Sequence, residues 1–154
     1  MCGVFGFIAS DRKNKPSIKA LQRMATAQER RGPHAYGFAW IGTAGRVRRY
    51  KQSGRITENL GALARARDAV ALIGHTRYAS QGSPENNLNN HPHACDGGWI
   101  VHNGTIRNYR AIIEAQALAP VTECDSEALA LLIEDAPGSL LDRVTDAAET
   151  AYGA

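Results

Sequence analysis

Val4-Phe5-Gly6-Phe7-Ile8 is an unbroken apolar run that gives way to Ser10-Asp11-Arg12-Lys13-Asn14, the pattern of a short buried strand with a polar end. The next segment has helical period. Ile18, Leu21, Met24 and Ala25 share one face, Pro16 suits the first turn, and Gly32-Pro33 is a stop. Tyr36, Phe38 and Trp40 then alternate with small residues, Gly42-Thr43-Ala44-Gly45 turns the chain, and Val47 to Lys51 returns it, which predicts a β-hairpin. Ile56 to Ala66 has helical spacing, and Asp68 to Gly74, DAVALIG, is an apolar strand running into the polar HTRYAS at 75–80.

The pattern lapses over residues 80–93, SQGSPENNLNNHPH, where four asparagines with glycine and proline predict a loop. Loops of that length in a small domain are often functional. GGWIVHNG at 97–104 is a strand ending in a turn, and Ile106, Tyr109, Ile112 and Ile113 open another helix. Ser126 to Glu134, with Asp125 or Ser126 as N-cap, and Ser139 to Ala151 are also helical in period. About five strands with interspersed helices point to an α+β or layered α/β domain.

Composition adds little to that picture and charge adds more. The 154 residues are 44% hydrophobic and 21% charged, enough for one domain with a core. No apolar run approaches the roughly 20 residues that span a bilayer, and the N-terminus lacks a secretory layout, so the expected compartment is the cytoplasm. Residues 1–67 hold fourteen Lys/Arg against three Asp/Glu, and residues 68–154 hold four against twelve. Such asymmetry can mark an anionic partner, but mutual neutralisation of the two halves in the fold is the simpler expectation, and no nucleic acid is inferred. Cys2, Cys95 and Cys124 have no paired spacing, so free thiols are expected.

Cys2 is where chemistry enters. Removal of an initiator methionine is favoured before a small residue, and it would leave a thiol and a free α-amine on one residue, a nucleophile carrying its own base. A thiolate that attacks a carboxamide needs donors for the oxyanion, and Asn103-Gly104 offers an amide side chain and an unhindered N–H. If the amide is that of free glutamine, Arg77 supplies a fork for the α-carboxylate and Asp125 a carboxylate for the α-ammonium. Taken singly, each has an ordinary alternative: Cys2 as a small strand residue, Asn103-Gly104 as a turn, Arg77 as a solvated charge, Asp125 as a helix cap.

MCGVFGFI, RRGPHAYG, GHTRYASQG, NNHPH, VHNGTIRNY and ECDSEAL stand in the order of the motifs of the class II glutamine amidotransferase glutaminase domain, an N-terminal-nucleophile hydrolase, which the chain resembles over essentially its whole length. The pattern is similar above all to the glutaminase half of glucosamine-6-phosphate synthase. The resemblance implies an α+β fold, the four-layer αββα sandwich. It implies Cys2 as nucleophile, Asn103 and Gly104 as the oxyanion hole, Arg77 on the glutamine α-carboxylate and Asp125 on the α-amine. It also places Thr76, Tyr78, Ser80 and Gln81 on the substrate loop and Arg31, paired with Gly32, beside the nucleophile. Glutamine would pass through a γ-glutamyl thioester, with ammonia delivered to a synthetase domain or subunit and no cofactor or metal required.

Two departures accompany the resemblance. His34 stands where the family has aspartate, and the family continues into further strands beyond the position of Ala154, so residues 1–154 are expected to be a shortened glutaminase domain. Two other readings stay open. His91, His93 and Cys95, with His75 or His102, are metal-ligand types without the spacing of a closed zinc site, and a structural loop is the alternative. A degenerate module that binds glutamine or a partner without turnover is the other.

Overall fold

Four strands widely separated in sequence build the main sheet. In the computed structural model, which describes residues 1–11 and 15–153, β1 (Gly3–Ile8), β2 (Ala35–Gly42), β3 (Val47–Ser53) and β4 (Ala69–Arg77) pair antiparallel in the order β1-β4-β2-β3. The polar end expected at Arg12-Lys13-Asn14 lies outside the described residues. Register puts Phe5 and Phe38 opposite Gly74, Tyr36 opposite Thr76 and Trp40 opposite Leu72, so the large side chains share one face. Helix α1 (Ile18–Glu29) and a 3-10 segment, Ile56–Ala66, cover that face, burying Leu21, Ala25, Ile56 and Leu63 against the aromatic rings.

The opposite face divides in two. Ile8, Ile41 and Val47 are exposed at one end and Val4 is exposed on the β1 edge, so β1 is a half-buried strand rather than the buried one its apolar run suggests. At the other end His75 and Arg77 are buried beneath the 82–93 loop. Gly37 permits this: a β-carbon there would run into the His91 carbonyl, so the loop lies flat on β2 only because residue 37 has none. The loop, with a 3-10 turn at Asn87–Asn89, leads into the short hairpin of β5 (His93–Cys95) and β6 (Gly98–Ile100). Helices α2 (Tyr109–Ala115), α3 (Asp125–Asp135) and α4 (Leu140–Thr150) follow, and α3 and α4 pack on the hairpin through Cys95, Ala130, Ile133 and Ala147. The layers therefore run helix, sheet, small sheet, helix, with every strand of the described residues before Asn103.

Local chemistry sets the boundaries. Helix α1 starts at Ser17, whose hydroxyl accepts from Ala20 N at 3.2 Å, leaving Pro16 ahead of the cap. Helix α4 opens with a capping box of Ser139 and Asp142. The 56–66 segment is two 3-10 stretches joined at Asn59, with φ −142° and ψ 47°, rather than one α-helix. Glu29, at the end of α1, is buried and accepts from Thr57 N at 2.8 Å, the Thr57 hydroxyl and Arg55. Burial pushes its carboxyl up, but these partners outweigh that and hold it below the ordinary carboxylate value. Arg48 and Asp68 join the two oppositely charged halves at 3.2 Å. No helix among the described residues is long and apolar enough to cross a membrane.

Candidate active site

Pairing of Gly3 with Thr76 brings Cys2 alongside the residues that leave β4. Tyr78 N–H donates to Cys2 Sγ at 3.4 Å, and Cys2 Sγ lies 3.6 Å from Tyr78 O. Cys2 N–H donates to Asn103 Oδ1 at 2.9 Å, a contact between residues 101 positions apart. Arg31 Nε–H donates to Cys2 O at 2.8 Å. Three chain segments therefore hold one half-buried cysteine, and Asn103-Gly104 forms the exposed turn beside it. The Asn103 and Arg31 contacts are to the backbone of residue 2, and only the approach of Sγ to the Tyr78 backbone is particular to the cysteine side chain.

His34 belongs to this group. Its N–H donates to Arg77 O at 3.0 Å, its Nδ1 accepts from Ala79 N–H at 3.1 Å, and its ring lies 4.6 Å from that of Tyr78. The ring thus orders the segment that follows β4, a role that no local pattern around residue 34 signals. Next to it Gly32 packs against the backbone of residues 76–78, where a β-carbon would collide with Arg77 and Tyr78.

The residues expected to hold a substrate divide between the sheet faces. Thr76 is fully buried on the α1 side, and its hydroxyl donates to Gln28 O at 2.8 Å. Arg77 is buried on the other side, where its guanidinium donates to Asn90 Oδ1 at 2.9 Å, to Gly82 O at 3.2 Å and to Gln81 O. It braces the loop over itself. Ser80 and Tyr78 are exposed and Gln81 is half-buried. Asp125 is the first residue of α3 rather than its cap, and its Oδ2 accepts from Ile106 N–H at 2.7 Å, tying α3 to the stretch just after Asn103-Gly104.

Behind Arg77 lies a cluster of imidazoles. His75 stacks on His91 with centroids 4.0 Å apart, and His91 meets His93 edge-on at 4.7 Å. His75 Nε2–H donates to His102 O at 3.0 Å, and His102 Nδ1 lies 3.0 Å from the Ser126 hydroxyl. Burial holds His75 down to about 4 and, with Lys51 and Arg77 adding repulsion, His93 to about 3. Burial first and then its histidine neighbours keep His91 well below the ordinary imidazole value. The cysteine beside His91 and His93 is Cys124, whose thiol burial pushes up, and not Cys95.

No family model matches the chain. A glutamine–fructose-6-phosphate aminotransferase (isomerizing) of Thermotoga maritima is 35% identical over 162 residues, which cover all of this chain and 26% of that protein. Its namesake in Gluconobacter oxydans is 33% identical over 147 residues, 92% of this chain and 23% of the relative, and that of Aeropyrum pernix is 37% identical over 147, 88% and 22%. The chain thus spans about a quarter of the length of the curated relatives it matches. Glutamine phosphoribosylpyrophosphate amidotransferase from B. subtilis, solved with ADP and GMP, superimposes on 99% of this chain and 33% of its own with a TM-score of 0.76 at 24% identity, which shows a shared fold. A cysteine held at the N-terminus by Asn103, Arg31 and Tyr78, on that fold and with those relatives, settles the family: the chain belongs to the class II glutamine amidotransferases, as a glutaminase domain with the N-terminal-nucleophile fold.

Proposed function

We propose that this domain hydrolyses the side-chain amide of glutamine through Cys2 and passes the ammonia to an acceptor site on a further domain or a partner subunit. The observation that carries the proposal is the 2.9 Å contact from Cys2 N to Asn103 Oδ1. Met1 is 80% exposed and within reach of an aminopeptidase. Once it is cut, Cys2 N becomes an α-amine already aligned by Asn103. Because Asn103 Oδ1 is engaged there, its NH₂ is the end left to donate to an oxyanion, together with Gly104 N–H.

The chemistry follows from those positions. The α-amine takes the Cys2 proton, the thiolate adds to the glutamine Cδ carbonyl, and the oxyanion is held by Asn103 and Gly104. Collapse breaks the C–N bond, the α-ammonium returns its proton to the leaving nitrogen, and ammonia departs from a γ-glutamyl thioester. Water, deprotonated by the same amine, then releases glutamate. Arg77 and Asp125 are assigned to the α-carboxylate and α-ammonium of the substrate, which requires the Arg77 fork to exchange loop carbonyls for the carboxylate. Gln81, Ser80 and Tyr78 shape the loop through which it enters, and Thr76 supports that loop from the α1 side. The free thiols fit a reducing compartment, and the cytoplasm is the proposed location.

His34 does not favour a degenerate module, since its contacts to Arg77 and Ala79 order residues 77–79 around the thiol. Glutamate release from glutamine, measured for Cys2→Ala and Cys95→Ala, tests the assignment. Cys2→Ala is expected to abolish it and Cys95→Ala to retain it; turnover that survives in Cys2→Ala overturns the mechanism.

A further inference from the structure

The buried end of the second sheet face holds a group that the proposed reaction leaves unused. One ligand atom each from His91, His93 and Cys124 lies within 4.8 Å of the other two, and all three residues are buried. Both ring nitrogens of His91 and Nε2 of His93 lack a hydrogen-bond partner among the described residues, although His91 and His93 are each only 3% exposed. A neutral imidazole has one donor and one acceptor, and His91 satisfies neither. Such an arrangement is costly unless something else occupies it.

We propose that His91, His93 and Cys124 form a transition-metal site, with Zn²⁺ the ion its donors suit best. Imidazole nitrogen and thiolate bind zinc at about 2.0–2.1 and 2.3 Å, and tetrahedral angles then separate the donors by roughly 3.3–3.6 Å. The widest separation here closes to that with a shift of roughly 1 Å, which side-chain rotation provides. Binding replaces the Cys124 S–H with an S–Zn bond and releases the proton to solvent. Three protein donors leave a fourth position for water. Asp125 Oδ1, 3.8 Å from Cys124 Sγ, supplies negative charge beside the ion. Arg77 and Lys51 supply positive charge near the histidines, so the anionic thiolate is the indispensable donor.

The site's place in the fold says what it does. His91 and His93 end the loop that Arg77 braces, and Cys124 caps α3 immediately before Asp125. An ion there pins loop to helix behind the two residues assigned to glutamine, yet metal binding itself does not depend on that assignment. Cys95 is not a member of this group. Its side chain is buried against Ala130, Ile133 and Ala147 of α3 and α4 instead.

The test uses the full chain carrying Cys2→Ser, so that the N-terminal thiol contributes nothing. After removal of metal by a chelator, Zn²⁺ is titrated against a competing indicator and Co²⁺ is titrated by absorption. One ion per chain and a near-ultraviolet charge-transfer band of a single thiolate on cobalt are expected. Cys124→Ser is expected to remove the band and raise the zinc Kd by at least about 100-fold, and Cys95→Ser to change neither. Should Cys124→Ser fail to fold by circular dichroism, the folded parent decides: zinc is expected to shift the ring ¹⁵N resonances of two of the five histidines. A folded parent that binds no zinc, shows no thiolate band, or keeps the band in Cys124→Ser overturns the proposal.

Discussion

Gly32→Ala reaches the surroundings of Cys2, the proposed nucleophile, without removing any group that contacts it. A β-carbon at residue 32 falls 2.5 Å from Arg77 C and 2.6 Å from Tyr78 N, with Thr76 O closer still, and all three are backbone atoms with no rotamer to yield. Unstrained contacts of this kind need about 3.5 Å, so one segment or the other moves by roughly 1 Å. The 76–78 segment carries Tyr78 N–H, 3.4 Å from Cys2 Sγ, and Arg77 O, 3.0 Å from His34 N. A 1 Å misplacement at an active site lowers turnover by about 10²-fold. Overpacking costs about 1–3 kcal/mol, or roughly 2–12 °C in Tm for a chain of this length. The assay pairs kcat for glutamate release at saturating glutamine with thermal unfolding followed by circular dichroism. Gly61→Ala is the control, because its added methyl meets nothing within 4 Å. A Gly32→Ala enzyme indistinguishable from Gly61→Ala in both readings refutes the claim that this close approach positions the thiol.

Three further outcomes follow from single residues. Asn103→Ala removes the proposed oxyanion donor and the side-chain contact to Cys2 N, so kcat is expected to fall by about 10²–10³, and a raised KM with unchanged kcat contradicts the assignment. Arg77→Lys keeps charge but loses the fork, so KM for glutamine is expected to rise about tenfold or more while kcat changes little; a fall confined to kcat argues against substrate binding by Arg77. Glu29→Gln is expected to cost about 1–3 kcal/mol in urea unfolding near neutral pH through loss of its charge-assisted bonds to Thr57 and Arg55. Because the folded-state value of Glu29 is lowered, its contribution is present above the unfolded-state value of about 4.5 and disappears as pH falls through the folded one. A Glu29→Gln penalty that stays constant on acidification below that range shows that the lost stability does not come from the carboxylate.

The element sequence was legible because side-chain period survives in the chain: the β2–β3 hairpin, the face of α1 and the α4 start at Ser139 are each written in local residues. The exposure of Val4 and Ile8 was not, since an apolar run of five carries no sign of whether one or both sheet faces are covered. Asn59 and Gly61 interrupt the helical period of 56–66, a weak signal that does not separate 3-10 from α geometry. At the site, Cys2, Arg31 and Asn103 were named from residue chemistry and resemblance, and they do meet. The metal-ligand type at Cys95 was visible by its spacing to His93, whereas Cys124, the cysteine that faces the histidines, stands 33 positions from His91 and is brought there only by the packing of α3 on β5. His34 stood out as a departure from the family pattern, but its role and that of Asn90 were equally hidden, because each acts on backbone or side chains that only the fold brings near.

The central claim is that Cys2, freed of Met1, is the nucleophile. Intact and peptide-level mass spectrometry of the purified chain, before and after an electrophilic glutamine analogue, measures it most directly. The account predicts chains that begin at Cys2 and take up a single adduct on that residue, with loss of glutamate release in proportion to labelling. Active chains that retain Met1, or an adduct on Cys95 or Cys124 with Cys2 unmodified, contradict it.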